Sequence, residues 1–249
     1  MRVSIVTKRS IVSIVFLVVF ASIAQAQNKW VHADFFRITE GKVTEYRAEQ
    51  TSKTMPQHQQ LVKQGKSYAM IAYQPLFPHG EETAGEVRLS IRNSFADAAG
   101  NQTARGFAPG LYKTIRGELW RLDDAVLLDE LVKAEYVRAV FHKLKPGQTI
   151  QDYRRLRAKV HKPEIEKRIA GGSSKIGAVG YFSVTYPAGQ TTEYDAVAIF
   201  GYADLAAVEP QTEVPADLRE ANEQMRKITD VVRVQLWRTR ERTDLGAAK

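Results

Sequence analysis

The chain has 249 residues, with 36 Lys and Arg against 28 Asp and Glu, and a formal net charge of +8. It contains no cysteine, which excludes disulfides, thiolate metal sites, a cysteine nucleophile and the lipid-bearing cysteine of a lipoprotein. A mild positive excess is typical of a basic soluble surface and does not by itself indicate a nucleic-acid partner. The sequence therefore predicts no nucleic-acid binding.

Residues 1–26 have the pattern of a cleavable signal peptide. A basic segment ending at Arg9 is followed by an apolar run from Ile11 to Ile23 and by the small-x-small sequence Ala24-Gln25-Ala26. The run is shorter than the roughly 20 residues that a membrane-spanning helix needs. We therefore expect cleavage after this segment and an exported protein, periplasmic or secreted, with no stable membrane anchor afterwards.

The rest of the chain presents the same series of landmarks twice. Residues 30–46 match 136–153, and residues 115–121 match 232–238, with further matches in the same order between them. Self-similarity of this length indicates a tandem duplication. The predicted units are a signal peptide at 1–26, a first repeat at 27–130, a second repeat at 131–242 and a flexible tail at 243–249.

Each copy begins with a predicted strand and a predicted helix. The strand alternates and is rich in aromatic and β-branched residues. The helix has apolar residues three and four apart, as at Tyr153, Leu156 and Val160. Pro56 and Pro163 should each kink or restart that helix. The later predicted elements are strands at 68–77, 86–92, 176–186 and 194–200, a second helix starting near Phe95 or Tyr202, and last strands around 115–121 and 232–238.

The order βαββαβ in each copy is that of the ferredoxin-like unit. Helices cover one face of its four-stranded sheet, and the other face needs cover from elsewhere. A tandem copy supplies that cover. The sequence therefore predicts an α+β fold in which two tandem ferredoxin-like units pack sheet to sheet as an intramolecular α/β barrel.

The turn Lys145-Pro146-Gly147, followed by Asp152-Tyr153, resembles the dimeric α/β-barrel proteins. These include monooxygenases of the antibiotic-biosynthesis and haem-degrading types. The resemblance implies this fold over nearly the whole mature chain. It transfers no catalytic residues, because no catalytic motif of those enzymes is matched, and the catalytic residues and cofactor stay unknown.

The strands at the two ends of each copy carry candidate ligand-binding residues, because side chains alternate along a strand and each of these faces mixes aromatic with polar groups. Tryptophans could stack a planar ligand, and arginines could bind a carboxylate or phosphate in a bidentate manner. The alternative is that the arginines pair with Glu118 or across the sheets and serve the fold. The candidates are His32, Asp34, Arg116, Trp120, Arg138, His142, Arg233 and Trp237.

Positions that differ between the copies are better candidates for a task that one half performs. The differing pairs are His32 and Arg138, Asp34 and Val140, Phe36 and His142, and Thr54 and His161. Histidine titrates near neutral pH and ligates metals or haem iron, although a lone histidine also serves as a hydrogen-bonded structural residue. No metal site is predicted from these residues.

The leading hypothesis is an exported protein that binds a small-molecule ligand in or beside its barrel. This hypothesis fails if the folded protein has a tightly filled interior in which every arginine is salt-bridged. The alternatives are a monooxygenase of the antibiotic-biosynthesis or haem-degrading type, and a non-catalytic interaction module of the cell envelope. The sequence assigns no oligomeric state.

Overall fold

The computed structural model describes residues 29–77, 85–100, 110–187, 193–208 and 216–245. The predicted signal peptide lies outside these residues. Within them, no helix is both long enough and apolar enough to cross a membrane.

Eight antiparallel strands close into one barrel with helices on its outside. The strands are β1 Trp30–Ile38, β2 Ser67–Pro75, β3 Glu86–Arg92, β4 Tyr112–Val126, β5 Tyr136–Leu144, β6 Ala178–Tyr186, β7 Ala196–Tyr202 and β8 Thr229–Arg242. The helices are α1 Val43–Glu49, α2 Met55–Lys63, α3 Phe95–Gly100, α4 Leu128–Lys133, α5 Ile150–Leu156, α6 Lys162–Ala170 and α7 Ala216–Ile228.

The strand order confirms the predicted pair of ferredoxin-like units. One half of the barrel runs β4-β1-β3-β2 and the other runs β8-β5-β7-β6, which is the same order written twice. Pairing of β2 with β8 and of β4 with β6 joins the halves and leaves no free sheet edge. The short helix α4 connects the repeats. The α+β barrel expected from the sequence is therefore the observed fold.

A π-helical turn interrupts the first helix of each repeat at the same place. It covers Gln50–Thr54 between α1 and α2, and Arg157–His161 between α5 and α6. Pro56 and Pro163 stand in the first turn of α2 and α6, directly after the π turn. The predicted restart of the helix is thus confirmed, and the restart takes the form of one wide turn.

Two local expectations were wrong. Tyr202 does not start a helix but ends β7, and strand pairing makes it the counterpart of Arg92. The helix of the second repeat that corresponds to α3 begins only at Ala216. Thr243, expected in a flexible tail, is buried and exchanges hydrogen bonds with the backbone of Met70.

The inward faces of the strands fill the barrel with apolar and aromatic side chains, as an eight-stranded barrel requires. The inward set includes Val31, Phe35, Leu89, Trp120, Val137, Phe141, Phe182, Ile199 and Trp237. The opposite side of β8 is partly open to solvent, since Val232 and Val234 are 41% and 56% exposed.

Candidate functional site

Trp120 and Trp237 belong to the barrel core. Both are completely buried, and their indole N–H groups donate to Glu118 and Gln235, at 2.7 and 3.1 Å. Because their ring faces pack against core aromatic residues, neither can stack a ligand. The ligand-stacking role predicted for these tryptophans is wrong.

Arg116 and Arg233 also point into the barrel, near one of its ends. Arg116 lies 3.1 Å from the buried carboxylate of Glu118 and 3.8 Å from Glu193, and Arg233 also pairs with Glu193. The core beyond them has a void of only about 10 Å³. Among the described residues the interior is filled and these two arginines are ion-paired, which favours the alternative that they serve the fold.

His32 and Asp34 lie outside the barrel, on the helix-covered face of the first repeat. The His32 Nδ1 atom is 3.2 Å from Asp34 Oδ2, so the two residues do share a site. This face is filled by charged groups around Glu86, which is completely buried. The hydroxyl of Tyr46, the amide of Gln50 and the guanidinium groups of Arg47 and Arg88 all donate to that carboxylate.

The equivalent face of the second repeat contains a cavity of about 270 Å³, between β5, β7 and β8 on one side and α6 and α7 on the other. Arg138 and His142 both line it, together with His161 from the π turn. The structure therefore brings these candidates together and separates them from His32 and Asp34. The lining residues are Arg138, Val140, His142, Arg157, His161, Ile165, Ile176, Phe200, Leu218, Asn222, Met225, Arg226, Thr229 and Val231.

The cavity is cationic and otherwise largely apolar. Three arginines line it, and none of the described lining residues is Asp or Glu. Arg138 lies at the sheet side, with its guanidinium 5.3 Å from the ring centre of Phe200. The Nε atoms of Arg138 and Arg157 are buried and have no acceptor among the described residues.

Arg157 is the residue that sequence reasoning missed. It opens the second π turn and is only 4% exposed, although its neighbours Arg154, Arg155 and Lys159 suggest a solvated helix face. The wide turn directs Arg157 inward, where it packs against the rings of Tyr153 and Tyr181, at 5.0 and 4.9 Å. The available signal was that Arg157 occupies the position that corresponds to Gln50 in the first copy.

A chain of hydrogen bonds fixes His142. The guanidinium of Arg157 donates to His142 Nε2 at 2.9 Å, and Nδ1 lies 3.3 Å from the hydroxyl of Thr229, which donates to the Met225 carbonyl. These partners assign the proton to Nδ1. Burial, followed by the positive charge of Arg157, lowers the pKa of His142 to about 2. His142 is therefore neutral.

His161 is also held in its neutral form. Its Nε2 donates to the carbonyl of Ala221 at 2.9 Å. Burial, with the charge of Arg157, lowers the pKa of His161 to about 3. A base of such low pKa abstracts protons poorly near neutral pH. The two imidazoles thus supply hydrogen bonds and shape to the cavity.

Comparison with solved structures supports the fold. A proposed monooxygenase from Lactobacillus acidophilus has a TM-score of 0.59 at 10% identity, covering 89% of this chain and 98% of its own. An anthrone oxidase-like protein has a TM-score of 0.54 at 10% identity, covering 91% and 99%. The chain has the dimeric α/β-barrel fold. A haem-binding protein from Thermus thermophilus shares this fold, with a TM-score of 0.54 at 11% identity, covering 86% and 92%.

No protein-family profile matches the chain, and no curated protein matches it. The dimeric α/β-barrel fold is therefore established by structure alone, and at these identities it does not transfer a ligand or a reaction.

The cavity residues do not fit a haem held by the Nε2 atom of a histidine. Iron ligation needs a free lone pair on an imidazole nitrogen, most often on Nε2. Both ring nitrogens of His142 have hydrogen-bond partners, and Nε2 of His161 carries the proton that it donates to Ala221. Haem binding through Nε2 of either histidine would require its hydrogen bonds to be rebuilt.

Proposed function

We propose that this protein binds a small, partly apolar anion in the cavity of the second repeat. The observation that carries the proposal is the lining itself, in which Arg138, Arg157 and Arg226 face apolar residues and no described acid. Ligand sites are concave, mostly apolar and equipped with a few oriented polar groups. The volume of about 270 Å³ suits a small ligand.

A larger hollow of about 610 Å³ lies where β8 and β7 end beside α4, but its chemistry is less suited to one ligand. Its lining carries both signs of charge, and Lys133 pairs with Glu130 at 2.9 Å. The smaller cavity has an excess of positive charge, which favours an anionic ligand.

Filling the cavity tests the proposal. We expect purified protein to retain a small molecule in native mass spectrometry, and Val140→Phe to abolish retention because its ring would occupy the cavity. Val234→Phe is the matched control, because Val234 pairs with Val140 across β5 and β8 but is exposed and does not line the cavity. Equal retention by Val140→Phe and wild type would reject the proposal.

A monooxygenase acting on the same ligand is the second candidate, favoured by the proposed monooxygenases among proteins of this fold. It predicts oxygen consumption when a bound substrate is present, and loss of that consumption in Val140→Phe. Oxygen uptake measured with the retained molecule separates the two functions. Haem titration tests the haem version, and we expect no Soret shift that depends on His142 or His161.

The sequence pattern of the leader supports the further proposal that the protein acts outside the cytoplasm. Mass spectrometry of the protein from fractionated cells tests it, with a mature N-terminus at Gln27 as the expected result.

A further inference from the structure

The two repeats differ in the charged groups that are buried on their helix-covered faces. Strand pairing sets Glu86 opposite Phe36 in the first repeat and Ala196 opposite His142 in the second, so Glu86 and Ala196 are equivalent positions. Gln50 and Arg157 are likewise equivalent, since each opens the π turn of its repeat. The second repeat therefore has alanine where the first has a buried carboxylate, and a buried guanidinium where the first has an amide.

In the first repeat, a side chain of the protein, Glu86, supplies the negative charge on this face. The Glu86 carboxylate is 0% exposed and accepts from Tyr46 at 2.6 Å, from Gln50 at 3.2 Å and from Arg88 at 3.3 Å, besides its ion pair with Arg47. Such a network satisfies both carboxylate oxygens, which is the condition for burying a charge.

In the second repeat, the cation on this face lacks that counter-charge. Among the described residues, Arg157 has no ion pair, and its hydrogen-bond partners are neutral: His142, with the phenols of Tyr153 and Tyr181. The acids on that side of the repeat are engaged elsewhere: Asp123 with Arg154 at 2.8 Å and Asp124 with Lys162 at 3.0 Å. Burial raises the pKa of Tyr153 and of Tyr181, so neither phenol supplies an anion. A buried charge without a counter-ion is costly.

We propose that the ligand carries a carboxylate and that this carboxylate pairs with Arg157, in the role that Glu86 performs in the first repeat. The inference rests on the proposed function. The Nε of Arg157 is buried and has no acceptor among the described residues, so it is available to a planar carboxylate. The apolar part of the ligand then lies against residues such as Ile165, Leu218 and Met225, which line the same cavity. The ligand class is a small monocarboxylate with an apolar body.

Benzoate and benzamide are suitable probes, because they match in shape and differ in charge. We expect benzoate to bind the wild-type protein at least about tenfold more tightly than benzamide by isothermal titration, because only benzoate brings a counter-charge to the buried guanidinium. Arg157→Gln, which installs the residue of the first repeat, should remove this preference, and Arg157→Lys should keep part of it.

Ala196→Glu is the complementary variant, because it restores the internal carboxylate of the first repeat. We expect it to abolish benzoate binding, provided that the side chain fits beside Tyr153 and Met225, and a circular dichroism spectrum reports whether it folds. The Arg157 variants keep the test decisive if Ala196→Glu does not fold.

Equal binding of benzamide and benzoate, or a preference that survives in Arg157→Gln, would overturn the carboxylate inference and leave the proposed function intact. Failure of wild type to bind benzoate also overturns the inference. The proposed function is then judged separately, by the molecule retained in wild type and absent from Val140→Phe.

Discussion

Single residues set the charge balance on the helix-covered face of each repeat. Glu86 and Arg88 give the first repeat a closed charge network, whereas Ala196 and Ala198 stand at the same strand positions of the second. The small side chains leave room on this face that Tyr153, Ile165 and Met225 only partly take up. The residue scale thus explains why the described part of this face has a closed charge network in one copy and a cavity in the other.

The unequal charge balance predicts opposite effects of two similar substitutions. Arg88→Gln should destabilise the protein by about 3 kcal/mol, because it removes a partner of a buried carboxylate. Arg157→Gln should leave the ligand-free protein as stable as wild type or more stable, because it removes a buried charge that has no described counter-ion. Urea denaturation of ligand-free protein measures both, and an equal loss in the two variants would contradict the prediction.

The sequence indicated which residues differ between the copies, but it did not show which way they point. Arg157 sits between Arg154, Arg155 and Lys159, and a regular helix would expose most of that run. The wide turn brings Arg157 to the inner face. A π turn contains one more residue than an α-helical turn, and the local composition does not predict it. Trp120 and Arg116 were misassigned for a related reason, because both faces of β4 mix polar and apolar groups.

At the scale of elements, hydrophobic period and turn residues were enough to predict the order of strands and helices. Gly147 has φ +82°, and Thr149 and Asp152 form a capping box that starts α5, so the turn of the recognised motif is built from local signals. The start of α7 at Ala216 could not be predicted by copying the first repeat. The stretch before it has no counterpart of equal length.

Helix α4 joins the repeats by close contact with the ends of β6 and β7. A Cβ atom on Gly201 would lie 3.0 Å from the Cβ of Ala134 and 3.2 Å from a methyl group of Leu131. We expect Gly201→Ala to cost about 1–3 kcal/mol, because overpacking pushes α4 away from the barrel. Gly177→Ala is the control, since its nearest neighbour would be 3.8 Å away. Equal stability of both variants in chemical denaturation would contradict close packing of α4 against Gly201.

At the scale of the whole molecule, closure of the barrel separates structural residues from candidate binding residues. Inward groups such as Trp120 and Arg233 are enclosed by both repeats. Outward groups such as His142 lie under the helices of their own repeat. Duplication therefore left each outer face free to diverge while the shared interior kept its shape. This division could be predicted from the sequence only in part, because it depends on which strand face closes inward.

The buried histidines on these outer faces make the stability of the molecule depend on pH. Burial lowers the pKa of His58 and of His161 to about 3 and that of His142 to about 2, against an ordinary value of 6.5. The unfolded chain therefore binds more protons than the native protein at intermediate pH. This contribution to the free energy of unfolding is fully present above about pH 6.5 and is lost as the pH falls towards 3.

Each such histidine should contribute up to about 1.4 kcal/mol per pH unit to the slope of the free energy of unfolding between pH 6 and 4. Replacing His58 by Gln should remove up to one proton from that slope, because His58 titrates in the unfolded chain but stays neutral when buried beside Arg92. Urea titrations at pH 6.0, 5.0 and 4.0 measure the difference from wild type. His32→Gln is the control, since His32 is partly exposed beside Asp34. If the free energy of unfolding changes with pH equally in wild type and His58→Gln, this imidazole accepts a proton in the folded state. The buried charged groups of the first repeat would then include a charged histidine.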